Sequence, residues 1–177
     1  RNDLARYTLE KNSDTLIILD VYLPLIIKQI KNSNIKNVIL TSLSDYLPEE
    51  RKNYFNDLSK LPSKIREVLE DKHELRSCMR EMKRLRHVNF IKMSDIISVG
   101  KKSKENLIYP EVDIKKDSIY SYTSGTTGLP KCIVFNEQSP NAIIEMHKGL
   151  DLRDYVGDRS LVLIPPSHAT GMFYATY

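Results

Sequence analysis

The sequence of 177 residues has no tryptophan, only two cysteines, six glycines and no apolar run long enough to cross a bilayer. Each shortage excludes something. Cys78 and Cys132 are too few for the disulfide framework of a small secreted scaffold, and they point to a reducing, cytoplasmic setting. The longest greasy stretch, Leu16 to Ile27, is broken by Asp20 and Pro24 and falls short of the roughly 20 apolar residues a membrane helix needs. No transmembrane segment is therefore expected. No basic stretch leads into an apolar core at the start, so no signal peptide is read. With 6 Gly and 8 Pro, the chain is neither collagen-like nor of low complexity. What is present, 41% hydrophobic and 28% charged residues, suffices for an ordinary buried core.

The net charge of +4 is unevenly spread. Residues 49–116 hold 17 basic against 12 acidic side chains, while the rest of the chain carries a slight acidic excess. A basic segment can favour an anionic partner, but interspersed charges more often mark a solvated surface. Within it, Ile65, Val68, Leu69, Leu75, Met79, Met82 and Leu85 recur at helical spacing, with Arg66, Arg76, Arg80 and Arg84 on other faces. Without interleaved aromatics or a binding-module signature, an amphipathic helix lying on a core outweighs a nucleic-acid docking helix.

Apolar runs punctuate the remainder. Leu4, Ala5 and Leu9 read as part of a helix already under way, and Ala169 to Tyr177 as an apolar segment without a stop signal, so the chain reads as a fragment. Thr15-Leu-Ile-Ile-Leu19 predicts a strand covered on both faces. Pro24 suits the first turn of a helix whose buried stripe is Leu25, Ile26 and Ile30, and Val38-Ile-Leu-Thr41 predicts a second strand. Strand, helix and strand in so short a span make a parallel βαβ unit over residues 1–48. Residues 49–116 form the helical, basic segment, opening with a helix from Pro48 through Leu58 and ending in a charged loop at 101–105. Residues 117–177 then supply strands at Ser118–Tyr122, Cys132–Phe135 and Ser160–Ile164, with a helix around Ala142 to Leu150. The predicted class is α/β, with layered sheets and helices.

The chemistry concentrates in Thr123-Ser-Gly-Thr-Thr-Gly-Leu-Pro-Lys131. Gly125 and Gly128 let backbone N–H groups approach a ligand closely, and Thr123, Ser124, Thr126 and Thr127 add rotatable donors. Lys131 adds a compact positive charge. The set suits a polyphosphate better than an unliganded turn, which needs fewer hydroxyls. It is not a Walker loop, because Gly125 and Gly128 are three apart and the lysine does not directly follow the second glycine. His73, His87 and His147 make no metal-ligand spacing with either cysteine.

Tyr122-Thr-Ser-Gly-Thr-Thr-Gly-Leu-Pro-Lys131 resembles the phosphate loop of the adenylate-forming superfamily, and Pro165-Pro-Ser-His-Ala-Thr-Gly171 is similar to that family's next motif. The Ser-Gly-Thr-Thr-Gly form leans toward acyl-CoA synthetases of fatty acid metabolism. The resemblance implies a partial N-terminal domain of an enzyme that joins a carboxylate to the α-phosphorus of Mg2+-ATP, then passes the acyl group to a thiol of CoA or phosphopantetheine. It implies that Thr123, Ser124, Gly125, Thr126, Thr127 and Gly128 hold the β- and γ-phosphates, that Lys131 neutralises them, and that Thr123 also reaches the magnesium. By the same resemblance His168 lines the acyl pocket and gates the thiol. The partners so implied are a small carboxylate, ATP, and CoA or an acyl-carrier protein, with no nucleic acid.

Departures accompany the match. Cys132 stands where the family usually has glycine; a small apolar residue on a buried strand is the reading favoured over a reactive thiol. The family's adenine-binding segment, its magnesium-binding glutamate, its ribose-binding aspartate and its catalytic lysine have no counterpart among these 177 residues, so the chain by itself is expected to be inactive. The rival readings are a phosphate- or acyl-binding module without chemistry, an adenylation domain serving a carrier protein, and an adaptor working through the Arg66–Arg86 helix.

Overall fold

A computed structural model describes residues 3–52, 61, 63–103, 111–123, 128–149, 159, 164, 168 and 171. The chain divides into two compact units, Arg1–Glu105 and Asn106–Tyr177.

The first unit is built on a parallel three-stranded sheet of order β1-β2-β3, with β1 Thr15–Leu19, β2 Asn37–Thr41 and β3 Asn89–Lys92. Helix α1 (Asp3–Glu10) precedes β1, and α2 (Leu23–Ile30) crosses from β1 to β2, with Pro24 in its first turn as expected. Short α3 (Glu49–Lys52), α4 (Ser63–Glu70) and α5 (Lys72–Arg84) lead to β3, and α6 (Met93–Lys102) follows it. The expected βαβ unit is present, in parallel register Thr15↔Asn37 through Leu19↔Thr41.

Helix α2 buries Leu23, Ile27 and Ile30, which at i, i+4 and i+7 share one face. Leu25 lies on the opposite side of that cylinder and is 42% exposed, which corrects its expected place in the stripe. Ile27, Ile30, Ile35 and Val38 are fully enclosed together with Cys78, Leu85 and Val88, and Leu16, Ile18, Leu40 and Phe90 pack from one face of the sheet. Burying each such side chain stabilises the fold by roughly 1.5–3 kcal/mol. The other face carries Ile17↔Ile39↔Ile91 in register. Ile17 there is 58% exposed, so β1 is covered on one face, not on both as its unbroken apolar run predicts.

The expected long helix is two helices. Asp71 separates them because its carboxylate accepts from the N–H groups of His73 (2.7 Å) and Glu74 (3.2 Å), satisfying the first turn of α5. Within α5 the inward stripe is Cys78, Met82 and Leu85, while Met79, one residue out of phase, is 56% exposed. Asp71→Ala removes the cap and is expected to cost about 1 kcal/mol, read as a lowered urea midpoint at constant slope. Strand β3 and the helix over 93–102 are absent from the sequence reading of this segment, because Asn89–Lys92 is too short and too polar at its ends to stand out. Only its pairing with β2, Asn37↔Asn89 through Leu40↔Lys92, makes it a strand.

Cys78 sits in this core with its thiol pKa raised above that of a free thiol, first by desolvation and then by the charge of Glu74. The folded state thus favours the neutral thiol. That contribution to stability is complete below the unfolded thiol's pKa and is lost as pH rises through the folded value. Thermal midpoints should therefore fall at alkaline pH, and in Cys78→Ala this component of the fall should vanish.

The second unit holds β4 (Asp117–Tyr122) and β5 (Cys132–Asn136), an antiparallel pair, and α7 (Gln138–Gly149). The β5–α7 joint is fixed by Asn136, whose Oδ1 accepts from the N–H groups of Gln138 and Ser139, each at 3.1 Å. The strand expected over 160–164 lies outside the described residues except Ile164, which is in a bend and 40% exposed. Among the described residues, no helix is long and apolar enough to cross a membrane.

Candidate phosphate-loop site

Of the residues singled out by sequence, Thr123, Gly128 and Lys131 are described at the loop end of the β4–β5 hairpin. The register Ser121↔Ile133 and Tyr122↔Cys132 brings the strands side by side up to the loop. Thr123 and Lys131 are the next facing pair and clasp each other twice. The Thr123 N–H donates to the Lys131 carbonyl at 3.0 Å, and the Lys131 N–H donates to Thr123 Oγ1 at 3.0 Å. Two bonds across one residue pair fix the separation and twist of the loop's two ends.

This clasp is what sequence reading missed. Thr123 was expected as a ligand hydroxyl. In the structure its oxygen also accepts a backbone bond, leaving its proton and a second lone pair for other partners. The available signal was the pairing itself, since two residues just beyond a register pair must face each other.

Lys131 is exposed, and no carboxylate among the described residues forms an ion pair with it. Gly128 is exposed, and a Cβ placed there would meet nothing within 4 Å, so the backbone at that point stands clear of neighbouring atoms. Ser124, Gly125, Thr126 and Thr127 lie outside the described residues. His168 is exposed, in a bend. Cys132 is half-buried on a two-stranded ribbon whose Ile133 and Val134 are 45% and 44% exposed, so the buried strand expected around it is not found. Among the described residues, no group of three or more His, Cys, Asp or Glu side chains converges on a metal position.

The first unit holds a different kind of crevice. At the carboxyl ends of its strands, Asp20, Ser42, Ser44, Asp45 and Lys92 border about 330 Å3. Among the described residues there, no nucleophile is paired with a base.

Comparison with known proteins places the chain. The model of the AMP-binding enzyme family matches residues 25–177. The chain belongs to the AMP-binding enzymes, the adenylate-forming ligases. It is similar to a long-chain-fatty-acid–CoA ligase of Bacillus subtilis, 27% identical over 164 residues, which covers 89% of this chain and 25% of that protein. It is also similar to the fatty acid–[acyl-carrier-protein] ligase ScoC of Streptomyces coeruleorubidus, 48% identical over 58 residues, covering 31% of this chain and 11% of the other. Among solved structures, McyG A-PCP complexed with phenylalanyl-adenylate aligns over 98% of this chain and 28% of that one, with 14% identity and a TM-score of 0.44. The chain thus spans about a quarter of the length of its long-chain relative.

Proposed function

We propose that the hairpin end at 123–131 is the triphosphate-binding loop of an acyl-adenylating ligase, and that this chain is part of that enzyme's large domain. The observation that carries the reading is the Thr123–Lys131 clasp. It holds the two ends of a hydroxyl-rich loop in fixed register and leaves the lysine charge exposed and without an acid partner among the described residues. The family match over 25–177 and the fatty acid ligases among the relatives support it.

In the proposed reaction a carboxylate oxygen attacks the α-phosphorus of ATP, and the bond from that phosphorus to the bridging oxygen breaks, releasing pyrophosphate. Negative charge grows on the leaving group. Donors already positioned by the protein stabilise that charge more in the transition state than in bound ATP. Thr123, Ser124, Gly125, Thr126, Thr127 and Gly128 would supply those donors to the β- and γ-phosphates, and Lys131 the cation. In the second step a thiol attacks the acyl carbon and AMP departs; His168 would border the acyl group and control the thiol's approach.

Magnesium prefers near-octahedral oxygen ligands, usually phosphates with one or two carboxylates. Among the described residues the Thr123 hydroxyl is the group that would reach it, with no cluster of His, Cys, Asp or Glu side chains to complete the shell by itself.

The deciding experiment is ATP–pyrophosphate exchange by the full-length protein with short-, medium- and long-chain carboxylates. Exchange that depends on an added acid is expected. Silence with every acid from folded protein would reject the reading in favour of a binding module. Thioester formation on CoA against a phosphopantetheinylated carrier then separates the acceptors, each of which one relative's name favours.

A further inference from the structure

Helix α5 carries five of the chain's basic residues, Lys72, Arg76, Arg80, Lys83 and Arg84, against Glu74 and Glu81. Its excess of three cations compares with a net charge of +4 for the whole chain. The structure sorts these charges by face. At about 100° per residue, Lys72, Arg76, Arg80 and Lys83 fall within an arc of about 80°, and all four are exposed. Cys78 and Leu85 point the other way, into the core.

Both acids lie off the stripe, half-buried and already engaged. Glu74 meets Lys28 at 3.4 Å, and Glu81 meets Arg84 at 2.7 Å. No acid among the described residues pairs with Lys72, Arg76, Arg80 or Lys83. Like charges at i, i+4 repel on a helix, so the stripe works against the helix that bears it. An anionic partner relieves that repulsion.

We infer that the outer face of α5 is an electrostatic docking surface for an anionic lipid headgroup layer. The helix has no Phe, Tyr or Trp on which bases would stack, its one ring being the small imidazole of His73, and no Asn or Gln to read base edges. It has no exposed aromatic anchor of the kind that dominates protein interfaces. Clusters of four to eight Lys/Arg along a helix suit anionic headgroups, and Met79, exposed beside the stripe, is an uncharged side chain available at the same depth. The preference for lipid over other polyanions also rests on the fatty acid ligase reading, because an acyl substrate partitions into membranes.

The test is co-sedimentation of the chain with phosphatidylcholine vesicles, with and without phosphatidylserine, at low and at near-physiological salt. Binding only to the anionic vesicles, weakened by salt, is expected. In Arg76→Gln/Arg80→Gln the partition coefficient should drop at least about tenfold, with helix content unchanged by circular dichroism. Lys115→Gln/Lys116→Gln removes the same charge elsewhere on the surface and should bind as the parent does. Equal losses in both pairs, equal binding to neutral vesicles, or no binding at low salt would each overturn the assignment. Retention on duplex DNA or on an acidic protein without vesicle binding would also overturn it. Vesicle binding needs no turnover, so silence in pyrophosphate exchange with vesicle binding intact would sink only the ligase reading.

Discussion

Lys131→Ala in the full-length protein is expected to raise the ATP requirement of pyrophosphate exchange by about tenfold to a hundredfold. A hydrogen bond to a charged group contributes about 1.5–3 kcal/mol, and each 1.4 kcal/mol is a factor of ten. The side chain is exposed and forms no ion pair with a described acid, so its removal breaks no structural pair there. The backbone clasp to Thr123 uses only the main chain of residue 131 and survives the substitution. Loss of ATP use without loss of melting temperature is thus the expected pattern. Lys131→Arg should recover part of the loss, because it restores charge but not the compact ammonium geometry. Lys148→Ala, which breaks only an exposed i, i+3 pair with Glu145, serves as the control and should change nothing. A Lys131→Ala protein that uses ATP as well as its parent would remove the hairpin loop from the triphosphate site.

Ile30→Ala is expected to cost about 2–5 kcal/mol of folding free energy, a large share of the 5–15 kcal/mol typical of a domain. Ile30 is 0% exposed and closes α2 against the sheet face that bears Val38. Four side-chain carbons shrink to one, leaving a void that close-packed neighbours fill only in part. Leu25→Ala on the same helix removes a similar side chain from a 42% exposed position and should cost far less. Chemical denaturation of both variants measures the difference. Comparable losses would mean that α2 does not sit on the sheet as described.

Much of this was legible along the chain. The strands at 15–19 and 37–41 announce themselves by dense β-branched runs, and Pro24 marks the start of the intervening helix, because local sterics decide those features. The loop motif was legible for a similar reason. Its glycines, hydroxyls and lysine are adjacent in sequence, so their chemistry needs no long-range fold to be read. Leu25 and Met79 were misplaced because a helical period read from a short window tolerates a shift of one residue, and only contact with a sheet selects the inward side. Strand β3 was missed because four residues carry little periodicity, and β2 supplies the pairing that makes them a strand.

The amino-acid order by itself determined the class, the βαβ unit and the residues of the candidate loop at 123–131, all of which depend on neighbours a few positions apart. Tertiary structure alone decided which face of each helix is buried, that β3 joins the sheet, and that Thr123 grips Lys131 at the loop end of the hairpin. It also decided that Glu74 of α5 is met by Lys28 of α2. Those outcomes depend on groups distant in sequence, and only their packing and pairing in three dimensions select among conformations that local propensity leaves nearly equal in energy.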